Sequence, residues 1–225
     1  PDHLDRHGSM KAYEDLKLSL FSNMGPQDQA VLNMDDPTVR AMAPEIKADI
    51  RWFSSSGEVP EGAMLTDGWI VLKSRGETRK VCEVSALKIP GRHNVENALA
   101  AAATAFGMGV PAPVIAYALK GFKGVEHRIE YVTEIRGVRF LNASKGTNPD
   151  STIKAVESMK APTILIAGGY DKDVPFDTLA KSVISSGSIR GAVLTGATRD
   201  KIRNALTEAG FAAIVTAPDL KQAVI

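Results

Sequence analysis

The chain has 225 residues, 44% hydrophobic and 24% charged, with a formal net charge of +1. That is an ordinary globular composition with room for one large domain or two smaller ones. It excludes a membrane span, since no apolar run approaches the ~18 residues required, and near-neutrality gives no electrostatic footprint for nucleic acid or an acidic membrane. The single cysteine, Cys82, has no internal disulfide partner and fits a reducing cytoplasm.

The opening "PDHLDRHGSM" is not a signal peptide. The chain starts without methionine and stops in "APDLKQAVI", an apolar-periodic stretch with no C-cap signal, so we expect a piece of a longer protein. Residues 9–22 predict a helix whose three- and four-residue spacing puts Met10, Tyr13, Lys17, Leu20 and Phe21 on one face. Strand patterns follow at 30–33, 50–54, 69–73 and 80–84. The alanine run in "HNVENALAAAATAFGMG" predicts a helix packed closely on a neighbour, and a second helix covers 112–121.

After "GFKGVEHR", where we draw the domain boundary, "RIEYVTEIRGVRFLN" predicts two strands around Arg136–Gly137. Helices at 149–159, 176–185 and 199–209 then alternate with the strands "PTILIAGG", "GAVLTG" and "AAIVTA". Such alternation implies an α/β fold with a mostly parallel sheet and helices on its faces. The expected domains are 1–121 and 122–225.

Several residues could carry chemistry. In "NASKGTN", Lys145 and Thr147 lie between a strand and a helix start, where α/β folds place anions. An ordinary turn with Asn148 as N-cap and Pro149 at the first helical position explains the same residues. "GGYDKD" predicts the next strand–helix turn of the same sheet, so that Asp171 and Lys172 emerge at the edge carrying Lys145. The plain alternative is a flexible turn with solvated charges. Asn94 and Asn97, one helical turn apart, have amides able to read an adenine edge, although Asn94 could simply cap its helix. His127 and Arg128 occupy the junction, and arginine suits phosphate as well as a structural ion pair. Lys17 lies on or beside the face expected to be buried. Burial favours a neutral amine, which could take up carbon dioxide as a metal-binding carbamate; alternatively its stem packs while the ammonium reaches water. His3 reads as a surface histidine, and "NMDDP" at 33–37 offers acids or a turn into a helix.

Together, "DHLDRHGS … YEDLK", "LNMDDP", "GRHNVENALAA", "EHRIE", "NASKGTNPDST" and "ILIAGGYDK" resemble the Mur ligases, and within them the type that adds D-glutamate. The likeness runs to about residue 215. It implies the rear part of a central ATPase domain followed by a Rossmann-like C-terminal domain, truncated at its end, with the P-loop lying upstream. It also implies a cytoplasmic, monomeric enzyme of peptidoglycan precursor synthesis that uses ATP and Mg²⁺. That enzyme joins D-glutamate to UDP-N-acetylmuramoyl-L-alanine through an acyl phosphate, and this piece alone would be inactive. By the same resemblance Lys17 would be the carbamylated lysine and His3 a magnesium ligand, with Asn94 and Asn97 facing adenine. Arg128 and Lys145 would contact nucleotide phosphates, with His127 close by, so that Lys17, His127 and Lys145 form the catalytic set. Thr147 and Lys172 would hold the D-glutamate carboxylates beside Asp171. Ala143 departs from the acidic residue many members carry there, and the interval from His3 to Lys17 is shorter than in some. The alternatives are a sister ligase adding another amino acid and a non-catalytic nucleotide-binding module.

Overall fold

Ser9 starts the first helix, α1 (Met10–Leu18), its hydroxyl accepting from the Ala12 N–H at 3.1 Å. The computed structural model to which it belongs describes residues 9–224. A 3₁₀ turn, Ser19–Phe21, follows, and the expected face is kept only in part. Met10 and Leu20 are 41% and 70% exposed and Lys17 is exposed, whereas Leu18, Phe21 and Met24 pack against Ala30, Leu32 and Ala43. The 3.0-residue repeat of the 3₁₀ turn affects only Leu20 and Phe21; within the α-helix itself the face that packs is the one carrying Leu18, which leaves Met10 and Lys17 exposed.

Strands β1 (Gln29–Asn33), β2 (Asp49–Ser54) and β3 (Gly62–Thr66) pair in parallel. Between β1 and β2, helix α2 (Pro37–Met42) is capped by Asp36, with proline at its start. Strands β4 (Trp69–Ser74) and β5 (Glu77–Glu83) continue the sheet antiparallel, giving the order β1-β2-β3-β4-β5. Strand β3 is absent from the sequence reading. Its five residues, "GAMLT", contain one β-branched side chain and begin on a glycine, so neither propensity nor alternation marks them. Helix α3 (Arg92–Gly107) lies across β1, β2 and β3. Leu99, Ala102 and Ala103 are fully buried against Ala63, Ile70 and Leu72; the alanines keep the helix close to the sheet. Helix α4 (Ala112–Gly121) closes this unit over β5 through Ile115 and Ala116.

The chain divides into two compact units after Lys123. The second begins with a hairpin, β6 (Glu130–Ile135) and β7 (Val138–Asn142). Its turn residues Arg136 and Gly137 have φ of 52° and 78°, the left-handed pair that matches strand twist in two-residue hairpins. Helix α5 (Pro149–Ser158), strand β8 (Thr163–Gly169), helix α6 (Asp177–Ser186), strand β9 (Ile189–Gly196), helix α7 (Arg199–Glu208), strand β10 (Ile214–Thr216) and helix α8 (Leu220–Val224) follow. The three strands form a parallel sheet ordered β10-β9-β8.

One expectation about this unit fails. Strand β7 does not join the parallel sheet but pairs with β6 alone. The short turn supplies its antiparallel partner locally, and its side chains are mostly exposed, so no apolar face draws it onto β8. Helices α5, α6 and α7 share one face of that sheet. Val156, Leu179, Val183, Ile202 and Leu206 bury the side of Leu165, Ala192 and Leu194, while Ile164, Ile166 and Val215 stay exposed on the other.

Candidate functional site

In the first unit, polar residues gather at the carboxyl ends of β1 and β2, the edge where open α/β sheets bind ligands. Asn33 turns the chain by accepting from the Asp35 N–H at 2.9 Å. Asp35 then accepts three hydrogen bonds: from the Ser54 hydroxyl at 2.6 Å, the Ser55 N–H at 2.7 Å and the Ser55 hydroxyl at 3.1 Å. Partial burial pushes its carboxyl up, but the serine donors outweigh this and hold it below the ordinary carboxylate range. Arg92 of α3 donates to the Ser55 and Ser56 hydroxyls at 3.2 and 2.9 Å, and Glu96 accepts from Ser55 at 3.3 Å. A surface depression of about 320 Å³ beside this network is lined by Met34, Asp35, Arg40, Ser54 and Gly57 among others. The network thus tethers the start of α3 to the sheet edge. "NMDDP" pointed toward its acid, but its serine and arginine partners are distant in sequence and were missed.

Asn94 and Asn97 lie one turn apart on that tethered helix. Asn94 is not the N-cap; Gly91 precedes the helix. The Asn94 amide instead donates to the Pro90 carbonyl at 2.6 Å, and its oxygen accepts from Asn97 at 3.3 Å. Asn97, exposed, keeps its own carbonyl oxygen and one N–H for a ligand. Lys17 sits apart from this network on α1, its ammonium 5.4 Å from the Tyr13 ring centroid, a cation–π arrangement rather than a buried amine. His3 lies outside the described residues. Among those described, no cluster of three or more His, Cys, Asp or Glu could hold a metal ion.

In the second unit, the hairpin and the "NASKGTN" turn are knitted together. Asn142 accepts from the Ser144 N–H at 3.0 Å, which directs its amide nitrogen to His127 Nδ1 at 2.9 Å. Nδ1 accepts this bond in the tautomer that carries its proton on Nε2, and Glu130 Oε2 lies 3.5 Å from the same nitrogen. The His127 carbonyl takes the Lys145 N–H at 3.1 Å, and Glu130 takes the His127 N–H at 2.8 Å. His127 (φ 66°) thus joins Arg128 and Lys145 in one loop cluster. Arg128, Lys145 and Thr147 are all exposed, and Asn148 caps α5 through the Ser151 N–H at 2.9 Å. The functional and plain readings of this turn therefore coexist.

The Asp171–Lys172 turn follows β8, at the end of a different sheet from Lys145. The Lys201 ammonium lies 2.7 Å from Asp171 and 2.9 Å from Asp173. Hydrogen bonding to Lys201 holds the Asp171 carboxyl below its ordinary range, and Asp171 in turn raises Lys201. Sequence reading missed Lys201, which carries no motif. Among the described residues Arg128, Lys145 and Lys172 have no carboxylate within ion-pair distance.

Comparison with known proteins gives these features a context. Residues 1–105 match the Mur ligase middle domain, and residues 127–225 the Mur ligase, glutamate ligase domain. A UDP-N-acetylmuramoylalanine–D-glutamate ligase of Thermoanaerobacter sp. (strain X514) is 46% identical over 91% of this chain and 44% of its own length. The ligase of that name from Lachnoclostridium phytofermentans is 42% identical over 100% of this chain and 49% of its own. The chain spans about half the length of the curated relatives it matches. In fold it is similar to UDP-N-acetylmuramoylalanyl-D-glutamyl-2,6-diaminopimelate–D-alanyl-D-alanyl ligase from Acinetobacter baumannii. That match has a TM-score of 0.72 and 18% identity, over 96% of this chain and 48% of the other. Two adjoining domain matches and relatives collinear with the chain lead to one conclusion: the chain belongs to the Mur ligase family.

Proposed function

We propose that the protein carrying this chain is an ATP-dependent ligase that joins D-glutamate to UDP-N-acetylmuramoyl-L-alanine in peptidoglycan precursor synthesis, acting as a cytoplasmic monomer. The observation that carries this reading is 42–46% identity, across 91–100% of the chain, to ligases of that name. On it, the units divided after Lys123 correspond to the rear of the central ATP-binding domain and to the C-terminal Rossmann-like domain.

The residues fit part of a nucleotide. In the first unit Asn97, with Asn94 behind it, offers the donor and acceptor an adenine edge requires; in the second, Arg128 and Lys145 are exposed cations of the kind that suit phosphate. ATP, when bound, supplies the phosphoryl group that activates the alanyl carboxylate. This chain then has to hold anions and exclude their repulsion. The His127–Asn142–Ser144 bonds fix the loop that carries Lys145. Thr147 and Lys172 would take the two carboxylates of D-glutamate, with Asp171 beside them. Such preorganised charge is where most of the rate enhancement would come from. The described residues do not assemble a Mg²⁺ site, so the assignment of His3 and Lys17 to the metal stays with the resemblance.

Phosphate release by the full-length protein with ATP, Mg²⁺ and UDP-N-acetylmuramoyl-L-alanine tests the reading, with D-glutamate, L-lysine and L-alanine supplied separately. Release only with D-glutamate is expected. Lys145→Met should lower kcat/KM roughly a hundredfold, the scale of losing one preorganised charge contact. Equal release with L-lysine, or none with any amino acid, would overturn it.

A further inference from the structure

The turn after β8 places one lysine, Lys172, between two carboxylates, Asp171 and Asp173. Left to themselves, those carboxylates would neutralise Lys172 and repel any anion approaching the strand end. The fold diverts both. The Lys201 ammonium, in the first turn of α7, lies 2.7 Å from Asp171 Oδ2 and 2.9 Å from Asp173 Oδ1. Asp171 Oδ1 accepts from the Asp173 N–H at 2.9 Å, closing the turn on itself. Lys172 stays exposed.

Two further observations separate this from incidental surface pairing. A cation in the first turn of a helix opposes the macrodipole, so local rules disfavour Lys201 where it stands. Such violations mark functional positions. The register between the two turns is also fixed by backbone. The Thr198 N–H, in a residue only 4% exposed, donates to the Gly169 carbonyl at 3.2 Å. That bond ties the end of β8 to the residue before α7. Exposed pairs of this kind add little to stability, so the pairing is not explained by a need to hold the fold together.

We infer that Lys201 is a positioning residue: it draws both carboxylates of the turn to itself, so that Lys172 meets the carboxylate of the incoming amino acid with its charge uncompensated. The inference rests on the ligase reading above and adds to it a residue outside the motifs.

The test replaces Lys201 by methionine and by arginine in the full-length protein. Lys201→Met is expected to raise the KM for D-glutamate about tenfold or more, because two carboxylates then compete for Lys172. The KM for ATP and the melting temperature should hardly move, and Lys201→Arg should restore most of the loss. An unchanged KM for D-glutamate, or an equal rise for ATP, overturns the inference. Should the wild-type protein release phosphate with no amino acid, the ligase reading fails by itself. The clamp is then judged by NMR on the 225-residue chain, titrating glutarate as a dicarboxylate probe. Shifts of the Lys172 amide that vanish in Lys201→Met support it, and shifts that persist or are absent in the wild type overturn it.

Discussion

Asp35 is the most tightly tied polar group of the first unit, and replacing it by alanine isolates what the tie is worth. The substitution removes the acceptor of three donors, of which the Ser55 hydroxyl keeps Glu96 at 3.3 Å and two are stranded. The Ser54 hydroxyl is 1% exposed and donates to Asp35 at 2.6 Å, so it loses its acceptor at a buried position. The Ser55 N–H, at 2.7 Å, is half-buried and recovers part of its loss by hydration. A buried donor left unmade costs about 1–3 kcal/mol, so Asp35→Ala should destabilise the first unit by about 2–4 kcal/mol. Both tryptophans, Trp52 and Trp69, lie in this unit, on β2 and β4, so fluorescence-detected urea unfolding reports on it selectively. With a slope of about 1.5–2 kcal/mol per molar, the midpoint falls by roughly 1–2 M. Ser54→Ala on the Asp35→Ala background should cost less than on the wild type, since it removes the stranded hydroxyl. The sign with pH follows from the depressed carboxyl. The stabilisation is complete above the ordinary value of about 3.9 and is lost as pH falls through the lower folded value. The gap between wild type and Asp35→Ala should therefore narrow below about pH 4. A loss under about 0.5 kcal/mol, or additivity with Ser54→Ala, would refute the reasoning.

Three other outcomes are expected. Gly168→Ala puts a Cβ 1.7 Å from the Thr195 carbonyl oxygen at φ 145°; backbone must move, and denaturant unfolding of the second unit should show a loss of about 2–4 kcal/mol. Leu99→Ala opens the core where α3 meets the sheet, a side chain with no exposed surface, and should cost about 2–5 kcal/mol by the tryptophan signal. Cys82 is buried, and burial raises its thiol, so a thiol reagent should label it only as fast as the unit opens; immediate labelling of the native chain would contradict that burial.

The order of elements was legible because each carried a local signature. Alanine-rich and amphipathic periodicity marked α3 to α7, and short apolar runs marked β1, β2, β4, β5 and β8 to β10. What failed depended on neighbours that the pattern cannot name. Strand β3 has little propensity of its own and exists because β2 and β4 supply hydrogen bonds on either side. The face of α1 was misjudged because Leu18, which the spacing leaves out, packs on the core while Met10 and Lys17 stay exposed. Strand β7 was assigned to the parallel sheet because alternation predicts a strand but not its partner.

The same division runs through the site. Its cations were legible as residue types in turns, but sequence does not say which of them the fold leaves available. Arg92 looks as functional as Arg128, yet it is tied to Ser55, Ser56 and Glu96, while Arg128 has no acid beside it. Lys201 looks idle, yet it holds both acids flanking Lys172. The deciding partners are separated along the chain, 19 residues for Asp35 and Ser54, 28 for Lys201 and Asp173 and 15 for Asn142 and His127. An anion responds to net charge, so the distribution of acids matters as much as the lysines a motif displays. In the second unit Asp171 and Asp173 lie on Lys201 and Glu130 on the His127 N–H, while Arg128, Lys145 and Lys172 are exposed. Exposed cations whose neighbouring acids are engaged elsewhere are what a site for an anionic ligand requires.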